Sequence, residues 1–72
     1  MKISVKNPDQ IKTLLIINGF TQRNFAKEIQ MTDSYLSQII RGKKHPSIFT
    51  AEKICKKLDV DFNTIFKIIK IN

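Results

Sequence analysis

The sequence predicts an all-α fold: a compact bundle of five helices forming one domain over residues 1–72. Two observations predict it. Apolar residues recur at i, i+3, i+4 spacing in five successive segments, the pattern of helices that each bury one stripe. Residues that start and stop helices stand between those segments. An N-cap type or a proline precedes each one, and glycine follows the first and third. A chain this short buries only about 60% of the surface its unfolded state exposes, so it needs an efficient helical core or a partner chain.

The elements follow in order. The first helix spans Pro8 to Asn18, opened by Asn7 or Pro8, with Ile11, Leu14 and Leu15 as its stripe and Gly19 as its stop. The second starts at the cap residue Thr21 and carries Phe25, Ala26 and Ile29 inward. The third starts at Thr32, carries Leu36, Ile39 and Ile40, and ends at Gly42. A basic loop, Arg41-Gly42-Lys43-Lys44-His45-Pro46, leads to Ser47, which caps a fourth helix with Ala51, Ile54, Cys55 and Leu58 inward. Asp61 is read as the cap of a fifth helix, where Phe62, Ile65, Phe66 and Ile69 repeat the helical spacing and face the core. Residues 1–6 read as a short N-terminal arm. Met1 to Val5 alternate polar and apolar, which also suits a short edge strand.

Composition narrows the function. Thirteen Lys and Arg against six Asp and Glu give a net charge of +7 and an isoelectric point near 9.9. In so small a domain this favours a polyanionic partner. The single cysteine, Cys55, has no disulfide partner within the chain and sits in an apolar stripe, so it reads as a buried thiol. No secretory leader and no run of ~20 apolar residues is visible, and the expected location is the cytoplasm. One histidine, one cysteine and six scattered carboxylates make no phosphate loop, metal-ligand spacing or nucleophile–base pair. The expectation is a non-enzyme with no cofactor, no metal, no small-molecule substrate and no membrane association.

Residues 21–41 carry the strongest signal. Two short helices joined by Gln30-Met31 must cross steeply, and a small residue, Ala26, stands where they cross. Leu36 and Ile39 anchor the third helix, leaving Asp33, Ser34, Ser37, Gln38 and Arg41 on its outer face. A protruding polar helix fits a DNA major groove.

The run Thr21-Gln22-x-x-Phe25-Ala26-x-x-Ile29, followed by Leu36-Ser37-Gln38-Ile39-Ile40-x-Gly42-x-x-x-Pro46, resembles the Cro and phage-repressor (XRE) type of helix-turn-helix family. The likeness extends over roughly residues 8 to 69 and implies a lambda-repressor-like DNA-binding domain. By this resemblance Asp33, Ser34, Tyr35, Ser37 and Gln38 read bases or bind a partner, and Gln38 suits adenine. Thr21, Gln22, Arg23, Arg41, Lys43 and Lys44 follow the DNA backbone, with Gln22 as a phosphate contact at a helix start. The implied function is a phage-type regulator that binds operator DNA in a lysis/lysogeny-type switch.

Three features depart from the family pattern. Gln30 replaces the usual turn glycine; either it sits at positive φ, at a cost of about 1 kcal/mol, or the turn adopts another shape. Leu15 and Ile40 replace a common Arg–Glu ion pair, which an apolar pair can do without loss of stability. Asp33 opens the third helix with a carboxylate that would repel phosphate unless it meets a cytosine amino group or serves only to cap the helix.

A second function fits the same residues. An antirepressor would use Asp33, Tyr35, Ile48 and Phe49 to bind the opposing phage repressor protein, alone or jointly on DNA. Ile48 and Phe49 would then lie partly exposed near the same surface. Ile68 and Ile71, between lysines, offer a small apolar patch, so the expected state is a monomer or weak homodimer.

Overall fold

The computed structural model describes residues 1–70: β1 (Lys2–Val5), α1 (Pro8–Ile17), α2 (Gln22–Glu28), α3 (Asp33–Ile40), α4 (Ile48–Leu58), α5 (Phe62–Ile65) and β2 (Phe66–Ile69). Four of the five helices open on side-chain caps where the sequence supplies them. Asn7 Oδ1 accepts the Asp9 amide at 2.9 Å and Thr21 Oγ1 the Asn24 amide at 3.1 Å. Thr32 Oγ1 accepts the Tyr35 amide at 3.0 Å, and Ser47 Oγ the Thr50 amide at 3.2 Å. Each satisfies a backbone N–H that has no partner within its own helix. Asp61 precedes α5, yet its side chain makes no capping bond.

One core joins the elements. Phe25, Leu36, Ile54, Ala51 and Phe66 are fully buried, with Ile11, Leu15, Ile39, Ile40, Leu58 and Ile65 around them. The edge of the Phe20 ring packs against Phe25, with centroids 5.2 Å apart. Leu15 and Ile40 are both buried here, so no charge has to be desolvated at these positions. Cys55 is buried too, and burial, followed by the charges of Glu52 and Asp61, pushes its thiol up to about 11.

The C-terminal segment differs from expectation. Its helix stops after one turn at Ile65, and Phe66 adopts an extended conformation (φ −112°, ψ 157°). Residues 66–69 form a strand antiparallel to β1, pairing Lys2 with Ile69, Ile3 with Ile68, Ser4 with Lys67 and Val5 with Phe66. The N-terminal arm is therefore one strand of a two-stranded ribbon. The physical reason is competition between two patterns in one segment. Phe66-Lys67-Ile68-Ile69 is rich in β-favouring residues, and a single helical turn has little stability of its own. Strand pairing with β1 satisfies the backbone, while Val5 and Phe66 still enter the core. Ile69, expected in the core, is 36% exposed. Ile71, half of the expected apolar patch, lies outside the described residues.

Candidate nucleic-acid interface

The helix-turn-helix is positioned by its turn. α2 ends at Ile29, Gln30 takes φ +60°, and the Met31 amide donates back to the Ala26 carbonyl at 2.9 Å. Of the two turn shapes left open at Gln30, the left-handed one is present, in a residue type that seldom adopts it. Ala26, 1% exposed, lies in the core under this turn. Lys53 of α4 donates its Nζ to the Ile29 carbonyl at 3.1 Å and so fills one of the acceptors left at the end of α2.

α3 leaves α2 with Leu36, Ile39 and Ile40 buried. Asp33, Ser34 and Arg41 are exposed on its outer side, and Ser37 and Gln38 are half-buried. Several of these side chains are organised in pairs. Gln22 Nε2 donates to Asp33 Oδ1 at 2.8 Å, joining the first residues of α2 and α3. Gln38 Nε2 reaches Ser34 Oγ at 3.4 Å, one turn away, and Arg41 Nε leans back on the Ser37 carbonyl at 3.4 Å. Since Thr32 caps α3, the Asp33 carboxylate is not its side-chain cap. Tyr35 is half-buried and packs against the core rim.

Beyond α3 the Lys43 and Lys44 amides both donate to the Gln38 carbonyl, at 2.8 and 3.2 Å. Gly42 permits the turn with φ +77°. Arg41, Lys43 and Lys44 are consequently exposed together on one short loop. That loop is tethered to the ribbon, because His45 Nδ1 lies 3.1 Å from the Ile3 carbonyl; a carbonyl only accepts, so the ring nitrogen donates.

The other predicted contacts are more scattered. Thr21 and Arg23 are exposed at the start of α2, and Arg23 shares a shallow cleft with Lys27, Met31 and Asp33. Lys27 belongs beside Arg23, and its signal in the sequence was the i, i+4 spacing of two cations on a polar face. Lys53 was also missed, since nothing local to α4 indicates that its ammonium reaches α2. Ile48 is 52% exposed and Phe49 85%. Ile48 lines a groove with Ile3, Pro46 and Ile68, which places it beside the ribbon.

No helix among the described residues is long and apolar enough to cross a membrane. Comparison with known proteins matches the helix-turn-helix family over residues 11–65. The HTH-type transcriptional regulator YqaF of Bacillus subtilis, itself uncharacterized, is 37% identical over 49 residues, covering 68% of this chain. The chain spans 64% of that relative's length. A Bacteroides fragilis protein assigned to DNA binding shares the fold with a TM-score of 0.71 at 22% identity, covering 90% of this chain and 98% of its own. The restriction-modification controller protein C.AhdI from Aeromonas hydrophila does so with a TM-score of 0.67 at 21% identity, over 79% and 83% of the two chains. The turn at Gln30, the buried Ala26 beneath it and the match across residues 11–65 agree: the chain belongs to the helix-turn-helix family of the XRE type.

Proposed function

We propose that this chain is a DNA-binding transcriptional regulator that places α3 in the major groove of an operator. The observation that carries the proposal is the outer face of α3, polar and free of tertiary partners except at Asp33, followed directly by the exposed cations Arg41, Lys43 and Lys44. Ser34, Ser37 and Gln38 read base edges, and Gln38 suits adenine N6 and N7. Thr21, Arg23, Arg41, Lys43 and Lys44 hold the backbone and set register without choosing sequence. The resemblance to Cro and phage repressors supports a role in a lysis/lysogeny-type switch, where occupancy of a promoter blocks polymerase or a competing repressor. Ile68 is half exposed between Lys67 and Lys70, a small patch that suits a monomer or weak homodimer.

Fluorescence anisotropy with operator duplexes at two salt concentrations tests this. Gln38→Ala is expected to cost about 1–3 kcal/mol at one base position. Lys43→Ala is expected to weaken all duplexes alike and reduce the salt slope by about one unit. An identical, sequence-independent loss for both would remove Gln38 from base readout.

One observation favours a second reading. Phe49, 85% exposed at the first turn of α4, has no role in DNA binding and suits a protein partner. In that reading Asp33, Tyr35, Ile48 and Phe49 engage the opposing repressor, and the chain acts as an antirepressor. Loss of repressor association in Phe49→Ala, with DNA affinity unchanged, would select it.

A further inference from the structure

Gln22 and Asp33 hold equivalent places, the first residues of two consecutive helices, and the 2.8 Å bond between them has a fixed polarity. A carboxylate only accepts, so the Gln22 amide nitrogen must donate. What remains for a ligand is richer in acceptors than in donors: the second Asp33 oxygen and the Gln22 amide oxygen, against the one Gln22 N–H not used on Asp33. Asp33 has no ion-pair partner among the described residues, where the one ion pair is Lys57 with Glu28. It is not needed as a cap either, because Thr32 does that work.

An unpaired carboxylate at the leading end of a groove-binding helix is repelled by phosphate. It favours binding only where it meets a hydrogen-bond donor. In the major groove the donors are the amino groups of cytosine and adenine, whereas guanine and thymine present acceptors. Adenine also sets its N7 acceptor beside N6, against the second carboxylate oxygen. Cytosine has no such neighbour on its own edge. We propose that Asp33, oriented by Gln22, selects cytosine at one operator position, and that Gln22 is a positioning residue for that carboxylate instead of a backbone contact. This rests on the DNA-binding reading above.

The test is enrichment of binding sites from a random duplex library with the purified full chain. Affinities for the enriched duplex and its single-base variants would follow, for the wild type, Gln22→Ala and Asp33→Asn. The wild type is expected to prefer cytosine at one position by about tenfold. Gln22→Ala is expected to flatten the preference at that position and spare the others. Asp33→Asn is expected to turn the preference toward adenine, because a carboxamide pairs with both N6 and N7. Melting curves check that the variants fold, as the Thr32 cap predicts. If Gln22→Ala weakened every duplex equally and kept the cytosine preference, Gln22 would be a backbone contact. A uniform gain in affinity in Asp33→Asn would reduce Asp33 to a phosphate repellent. Either result overturns this inference and leaves the DNA-binding reading standing. No enriched sequence at all, with Asp33 variants instead losing affinity for the opposing repressor, would overturn both.

Discussion

The helix-turn-helix and the terminal ribbon share one core but are specified differently. The backbone contacts and caps that shape the helix-turn-helix internally are short in sequence, such as Met31 to Ala26 or Tyr35 to Thr32. The ribbon joins the two ends of the described chain, Lys2 to Ile69, and exists only when both ends arrive. Local contacts leave a signature in the residues that make them. Contacts between distant segments need a partner that the segment itself does not name. The comparison separates a region that can be read from its own residues from one that cannot, and it makes the ribbon the place where substitutions should be most informative.

The largest expected effect is at the junction of helix and strand. Phe66 is fully buried, so Phe66→Ala should destabilise by about 3–5 kcal/mol in urea unfolding. Phe49→Ala, at an exposed aromatic, should stay within about 0.5 kcal/mol. If Phe66 proved as tolerant as Phe49, the ribbon would not be part of the core. Next comes its partner strand. Val5 is 7% exposed, and Val5→Ala should cost about 1.5–3 kcal/mol. A loose N-terminal arm would give no measurable change, so this substitution decides between arm and strand.

These expectations show how much was legible. Four caps and the stripes of α1 to α4 could be read because each is set within one or two turns. Phe62, Ile65, Phe66 and Ile69 matched a helix just as well, yet Phe66-Lys67-Ile68-Ile69 also matches a strand with Phe66 inward. Only the distant Lys2–Val5 segment breaks the tie. In the candidate site the outer face of α3 was legible from spacing. The bond that ties Asp33 to Gln22 was not, because it depends on the angle at which two helices cross.

A smaller effect probes how α4 supports the turn. Lys53 makes a partly buried bond to the Ile29 carbonyl, and Lys53→Met should cost about 1 kcal/mol. Lys57 and Glu28 meet at 3.3 Å in a largely exposed pair, 41% and 55% accessible. Lys57→Met should therefore change stability by less than about 0.5 kcal/mol, and less still at high salt. Equal losses from the two lysines would mean that the carbonyl contact adds nothing beyond a surface charge.

The smallest effect compares the two non-glycine residues with left-handed backbone among the described residues, Gln30 in the helix-turn-helix and Asp59 at the end of α4. Gln has no local hydrogen bond that favours this conformation, so relieving it with glycine removes about 1 kcal/mol of strain. The greater freedom of glycine in the unfolded chain returns roughly 0.4–1 kcal/mol of that. The Gln30 side chain is exposed, and its loss uncovers no core. Gln30→Gly should therefore stabilise by up to about 0.6 kcal/mol. Asp is among the residues that tolerate this region, and Asp59→Gly should be close to neutral or slightly destabilising. Thermal melting of the two variants separates these outcomes. A loss of stability in Gln30→Gly would mean that its side chain contributes contacts to the turn, and that the family's usual glycine has been replaced at no cost.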